Sequence, residues 1–131
     1  MISFILIALS ALCNALMDVS QFHYSTSIFT KLNNPMYWNG SISWKSKYID
    51  WDNGDKRRKK WIFGKFNLPV QFTDMWHLAK SMMIVLFVLA IVLYKPFFGI
   101  LIDFFVLGAI WNLVFLAFYN KILVVRKNKI K

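Results

Sequence analysis

The clearest hydrophobic run is residues 76–94, whose last 13 positions carry no polar side chain before the final tyrosine. Its 19 residues approach the roughly 20 that cross the hydrocarbon core of a bilayer as a helix. A second apolar segment, 97–119, has Asp103 and Asn112 as its strongly polar members. Pro96 lies between the two segments and disfavours helix at the residue before it. The pattern therefore predicts two antiparallel transmembrane helices joined by a short turn.

The N-terminal apolar segment, residues 2–21, is shorter and contains more polar side chains. A signal peptide begins with basic residues, whereas the first basic residue here is Lys31, so we expect a retained transmembrane helix. Polar residues recur every three or four positions and extend the helical pattern to about residue 29. They are Ser10, Asn14, Asp18, Gln21 and Ser25. Within a bilayer, such a polar stripe should face protein or water and not the acyl chains. The alternative is that Gln21 and Ser25 already lie outside the bilayer, where their polarity carries no such information.

These segments predict an all-α integral membrane protein, a helical bundle with three transmembrane helices in a single membrane domain, 1–131. Its parts are the helix 2–21, a cytoplasmic loop 31–75, the helices 76–94 and 97–119, and a basic tail 120–131. The loop holds nine Lys and Arg and the tail five, whereas the turn between the last two helices holds one. The positive-inside rule then places the loop and the C-terminus in the cytoplasm and the N-terminus outside the cell membrane.

The charge of the chain points to the kind of partner. Sixteen Lys and Arg residues against six Asp residues give a formal net charge of +10. Such a charge suits nucleic acid or an anionic lipid surface, but the basic residues flank apolar segments, which favours anionic headgroups over nucleic acid. The densest basic run, which we expect to contact the headgroups, is Lys56, Arg57, Arg58, Lys59 and Lys60.

The loop 31–75 differs from a flexible linker because it is rich in aromatic residues. Its tryptophans are Trp38, Trp44, Trp51 and Trp61. This density predicts either anchoring in the membrane interface or a small structure packed against the membrane. Asn and Gly pairs, together with Pro35, are turn signals, so we expect short helices and turns along the inner membrane surface.

Three strings in the first two thirds of the chain stand out: FHYSTSIF at 22–29, SWKSKY at 43–48 and TDMWH at 73–77. They resemble a pattern in small membrane proteins of bacteria and phages, and the resemblance covers roughly residues 14–80. No activity is established for that group, so the resemblance implies no mechanism. It does imply that the three strings act together.

Two Asp and two His residues near the predicted inner boundary form a candidate metal site, made of Asp18, His23, Asp74 and His77. If the first two spans lie side by side, these groups converge at one depth, where imidazole and carboxylate suit zinc or another divalent ion. A metal there would activate water against a phosphate or ester bond of a lipid. The alternative is structural: Asp74 caps the helix that follows it, and Asp18 forms an ion pair with Lys80.

Three residues within the predicted spans are candidates for helix packing. Asn14 and Asn112 lie at similar depth if successive spans are antiparallel, and we expect a hydrogen bond between them. Gly108, one turn before Asn112, would let another helix approach closely. Asp103 lies near the opposite boundary, where we expect it to pair with Lys95 or to reach water.

Three functions fit these patterns. The favoured one is a small non-enzymatic subunit or adaptor whose basic, aromatic inner loop contacts anionic lipid or a partner, with other membrane subunits or a second copy as further partners. The second is a holin-like pore former, on the grounds of size, three spans and a basic tail. The third is a membrane-embedded, metal-dependent hydrolase acting on lipid, although the chain contains no Cys-x-x-Cys, His-Glu-x-x-His or Gly-rich phosphate loop.

Overall fold

A computed structural model of the chain describes residues 1–48, 53–54, 62–63, 66–67 and 70–125. The α-helices are α1 (Ile2–Phe22), α2 (Pro35–Trp38), α3 (Gly40–Ser43), α4 (Met75–Val92) and α5 (Ile100–Ala117), with a π-helical continuation at Phe118–Ile122. Short 3₁₀ turns occupy Tyr24–Thr26, Ile28–Lys31, Trp44–Lys47 and Val70–Phe72. Two-residue strands, β1 (Ile62–Phe63) and β2 (Phe66–Asn67), pair antiparallel. Within the described residues, α1, α4 and the extended α5 are long and apolar enough to cross a membrane, which confirms the predicted all-α bundle.

The first helix is shorter than its polar pattern predicts. α1 ends at Phe22, so the expected continuation of the helix to residue 29 is wrong. His23 leaves the helical region with φ −128° and ψ 19°. The segment that follows is drawn away from the helix axis because Ser27 forms an antiparallel bridge with Val124, just after α5. Backbone pairing with a distant part of the chain therefore overrides the local helical period.

The central helix of the bundle is α1. It packs against both α4 and α5, whereas α4 and α5 contact each other little. Along the three spans, 39% of the α1 positions are buried, against 17% for α4 and 6% for α5. Although α4 and α5 are joined by a short turn, they are thus held together mainly through their contacts with α1. One direct contact between them is the edge-to-face pair of Phe87 and Trp111, whose ring centres are 6.3 Å apart.

Small residues on α1 permit this close packing. Ala11 and Ala15 are completely buried, and the hydroxyl of buried Ser10 donates to the carbonyl of Met83 on α4 over 2.9 Å. Ser10 therefore faces protein, as the polar stripe predicts. Ser25, which the stripe placed on the same helix, lies beyond the helix end and is exposed.

The turn between α4 and α5 is closed by Asp103, which is completely buried. Its carboxylate accepts hydrogen bonds from the Tyr94 hydroxyl (2.9 Å) and from the backbone N–H groups of Phe97 (2.7 Å) and Phe98 (3.1 Å). The expected pairing with Lys95 or contact with water is wrong, because three donors of the turn itself satisfy the buried carboxylate. We refer to this end of the bundle as the loop end.

The opposite end of the bundle carries a small folded region, residues 35–48 and 70–77, which we call the cap. Asn34, with φ 69°, makes the turn before Pro35 at the start of α2. Trp38 of α2 stacks on buried Phe29, with ring centres 5.6 Å apart, and Phe29 belongs to the same core cluster as Met75. The described part of the predicted loop thus forms short helices that pack on α1 and α4, whereas Trp51 and Trp61 lie outside the described residues.

Candidate functional site

The cap is attached to the end of α1 by a close backbone contact. The N–H of Gly40 donates to the hydroxyl of buried Ser20 over 3.1 Å, and the Ser41 hydroxyl donates to the carbonyl of Gln21 over 2.9 Å. A Cβ at Gly40 would lie 2.8 Å from both Ser20 Oγ and Gln21 Oε1. Because real Cβ contacts are longer than this, only glycine permits the observed approach.

The three strings at 22–29, 43–48 and 73–77 come together in and beside the cap. The Ser46 hydroxyl donates to the carbonyl of Ser43 (2.6 Å) and to that of Thr73 (3.1 Å), which joins the second string to the third. Phe29 of the first string shares the core cluster with Met75 of the third. The sequence has no feature, other than the resemblance, that brings these segments together.

Asp74 is a polar side chain of the cap that is completely buried. One carboxylate oxygen accepts from the backbone N–H of His77 (3.0 Å), so Asp74 is the N-cap of α4. The other accepts from the Thr73 hydroxyl (2.8 Å) and from Nδ1 of His77 (2.7 Å). Since a carboxylate only accepts, Nδ1 carries the hydrogen.

Two aromatic side chains surround this carboxylate–imidazole pair. Burial, and secondarily the charge of Asp74, raise the pKa of Tyr37, so this hydroxyl keeps its proton. Trp76 meets the His77 ring edge to face, with ring centres 5.1 Å apart. His77 itself is only 21% exposed. The pair fixes the tautomer and orientation of His77 and caps α4, which is the structural alternative predicted for Asp74.

The predicted four-residue metal set does not converge. Within the described residues, which include all four, no three His, Cys, Asp or Glu side chains lie close enough to hold a metal ion. His23 instead bonds through Nε2 to the Tyr119 hydroxyl at 2.5 Å, and the two rings meet edge to face. Because α1 ends between Asp18 and His23, these two residues share no face. The predicted convergence of these four residues on one metal ion is therefore wrong.

The predicted ion pair between Asp18 and Lys80 is also wrong. In the part of the chain that the structure describes, these two groups form no salt bridge, and the ammonium of Lys80 lies over the Trp76 ring, 4.9 Å from its centre. A cation over an aromatic face is a favourable contact that leaves the ammonium partly hydrated. Sequence spacing alone could not distinguish the two arrangements.

The expected hydrogen bond between Asn14 and Asn112 does not form. The Asn112 amide donates to the carbonyl of Gly108, one turn earlier in the same helix, over 2.9 Å. A Cβ at Gly108 would meet no atom within 4 Å, so no other helix of the chain packs there, contrary to expectation. Gly108 and Asn112 instead line a cavity of about 700 Å³ between α1, α4 and α5.

Two predictions fall on residues that the structure leaves undescribed. The headgroup-contacting run, Lys56 to Lys60, and most of the basic tail, 126–131, lie outside the described residues. No known protein family, curated protein or solved structure matches this chain. The resemblance of the three strings to small bacterial and phage membrane proteins thus stays a prediction.

Proposed function

We propose that this protein is a small, non-enzymatic multi-pass membrane protein, a subunit or adaptor whose cap binds anionic lipid headgroups. The asymmetry of charge between the two ends of the bundle supports the proposal most directly. Among the described residues, five lysines lie at the cap end and one at the loop end. The cap-end lysines are Lys31, Lys45, Lys47, Lys80 and Lys121, and the loop-end lysine is Lys95.

Lysines of the cap end lie beside aromatic rings. The ammonium of Lys47 is 5.3 Å from the centre of the Tyr48 ring, and that of Lys80 is 4.9 Å from the Trp76 ring. Indole and phenol rings favour the depth of the headgroups, where one face is apolar and the other wet. An aromatic ring at this depth would hold its neighbouring ammonium against the phosphates of an anionic leaflet.

The non-enzymatic part of the proposal rests on how the reactive side chains are used. Asp74 and His77 bind each other and cap α4, and His23 binds Tyr119. Each of these side chains stabilises a helix end. The proposed orientation follows the positive-inside rule and places the cap on the cytoplasmic side of the membrane.

Lipid titration monitored by native mass spectrometry tests the proposal. We expect detergent-solubilised protein to bind phosphatidylglycerol more tightly than phosphatidylcholine, and salt to weaken the preference. Because each lysine near anionic headgroups contributes about 1 kcal/mol, Lys80→Gln should weaken phosphatidylglycerol binding about fivefold. Lys95→Gln removes the same charge at the loop end and is the matched control, with a smaller expected effect. Equal affinity for the two lipids, or equal losses in the two variants, would overturn the proposal.

The holin-like alternative makes a different prediction. A pore former should lyse or depolarise cells soon after its expression begins, whereas a headgroup-binding subunit should leave the membrane sealed. Dye entry into expressing cells, measured over time, separates the two. The spans alone do not favour pore formation, because Asp103, the one acidic residue of α5, is buried in hydrogen bonds of the turn.

A further inference from the structure

The last transmembrane helix is almost entirely uncovered by the rest of the chain, yet it carries an amide near its middle. Asn112 is residue 13 of the 23-residue span that starts at Ile100, and its side chain is exposed. In a bilayer this position lies near the centre of the hydrocarbon, where an amide without hydrogen-bond partners is unfavourable.

Only part of the Asn112 amide is satisfied within the described chain. One N–H of Nδ2 donates to the carbonyl of Gly108, and the structure gives the side chain no other hydrogen bond among the described residues. One further N–H and both lone pairs of Oδ1 remain. The remaining donor and acceptor belong to a single planar group, which is therefore able to pair with a second copy of itself.

The surface beside Asn112 is concave and accessible. Gly108 has open space where a Cβ would project. Together with Asn112 it lines the cavity of about 700 Å³, whose other walls include Ile7 of α1, Ala90 of α4 and Phe104 of α5. Small residues at such positions let the backbones of two transmembrane helices approach closely.

We propose that two copies of this chain associate in the membrane through α5, with Asn112 of each copy bound to Asn112 of the other beside Gly108. Copies that insert with the same orientation carry Asn112 at the same depth, so a two-fold interface pairs each amide oxygen with the partner's free N–H. An acyl chain would fill the concave surface but offers the amide no hydrogen bond. A second copy of the chain, inserted with the same orientation, presents its own Asn112 amide at the same depth in the bilayer and with the complementary donor and acceptor.

The association can be tested by energy transfer between donor-labelled and acceptor-labelled chains in liposomes. The protein-to-lipid ratio is lowered stepwise until the complex dissociates and energy transfer is lost. Asn112→Leu should weaken association about 3- to 30-fold, the range for hydrogen bonds between membrane helices. Gly108→Leu should weaken it as well, because the leucine side chain would project into the concave surface that the second copy occupies. Asn120→Leu is the matched control, since it makes the same change at an exposed position near the helix end, and it should leave association unchanged.

Disulfide crosslinking locates the interface. In a Cys13→Ser background, Asn112→Cys should form dimers on mild oxidation in liposomes much faster than Leu113→Cys, which is 68% exposed but points about 100° away around the helix. Circular dichroism and size-exclusion profiles like those of the parent establish that each variant folds. The proposal would be overturned if energy transfer at every protein-to-lipid ratio matched that expected from random collisions. It would also be overturned if a folded Asn112→Leu variant associated as well as the parent, or if Asn112→Cys and Leu113→Cys crosslinked equally fast.

Discussion

The backbone N–H of Gly40 donates to the hydroxyl of Ser20, 3.1 Å away, and this contact joins the cap to the end of α1. Both residues are buried, and no side chain at position 40 would leave room for the bond. This contact therefore couples the fold of the cap to the packing of the spans.

Gly40→Ala should displace α3 from the end of α1. The added Cβ would lie 3.1 Å from the Cα of Gln21, a backbone atom that cannot rotate away. We expect a loss of about 1–3 kcal/mol in the free energy of unfolding, typical of overpacking. It is measured by SDS titration in mixed micelles, together with faster amide exchange over 35–48. Ser41→Ala, which removes a hydrogen bond without adding atoms, should cost less, and a reversed order would contradict this account.

Asp74→Ala should destabilise the start of α4. The substitution removes the N-cap and leaves the His77 N–H and the Thr73 hydroxyl without their acceptor. We expect a loss of about 1–3 kcal/mol in the same titration. Asp74→Asn keeps an oxygen for the His77 backbone N–H and should lose less. A stability equal to that of the wild type in Asp74→Ala would refute the capping role.

The bond between His23 and Tyr119 should couple the ends of α1 and α5. Tyr119→Phe and His23→Ala each remove one partner of this 2.5 Å contact. A double-mutant cycle should give a coupling energy of about 0.5–1.5 kcal/mol, the usual net value of a hydrogen bond. Strictly additive losses in the two single variants would mean that the contact contributes no stability.

We expect Tyr94 to make the stability of the protein sensitive to alkaline pH. Burial, the hydrogen bond to Asp103 and the charge of Asp103 together raise the pKa of Tyr94. Because the folded state holds this proton more tightly, the contribution is complete below the unfolded pKa of about 10 and is lost as pH rises through the folded value.

The advantage of the wild type over Tyr94→Phe in unfolding midpoint should therefore shrink as pH is raised above about 10. Tyr24→Phe, which removes a hydroxyl at the cap end, serves as the control. A difference between wild type and Tyr94→Phe that stays constant from pH 8 to 11 would show that the Tyr94 proton is not linked to folding.

The proposed orientation predicts which end of the bundle is accessible from outside intact cells. In a Cys13→Ser background, Lys95→Cys at the loop end should react with a membrane-impermeant maleimide, whereas Lys31→Cys near the cap should react only after permeabilisation. Both lysines are exposed, so accessibility within the protein does not distinguish them. Labelling of Lys31→Cys in intact cells would place the cap outside the cell and contradict the proposed orientation.

The secondary structure of the spans was accessible from the sequence because a bilayer leaves few alternatives for long apolar runs. The predicted run 76–94 corresponds to α4, Met75–Val92, and the predicted run 97–119 to α5 and its π-helical continuation. The N-cap role of Asp74 was also predictable, since it depends on residues three positions apart. The predictions from sequence were wrong where a long-range contact competed with a local pattern. At His23, for example, the predicted helix ends and the ring bonds to the Tyr119 hydroxyl.

The amino-acid sequence by itself determined the all-α class of this protein, its three apolar spans and its excess of positive charge. Each of these depends only on the composition of the chain or on the length of one continuous apolar segment. Only the tertiary structure decided that α1 is the central helix and that Gly40 touches Ser20. It likewise decided that Asp103 closes a turn, that the Asp and His residues do not converge, and that Asn112 is left facing outward. The physical reason is that each of these depends on the relative positions of segments far apart in the chain, which no local period specifies.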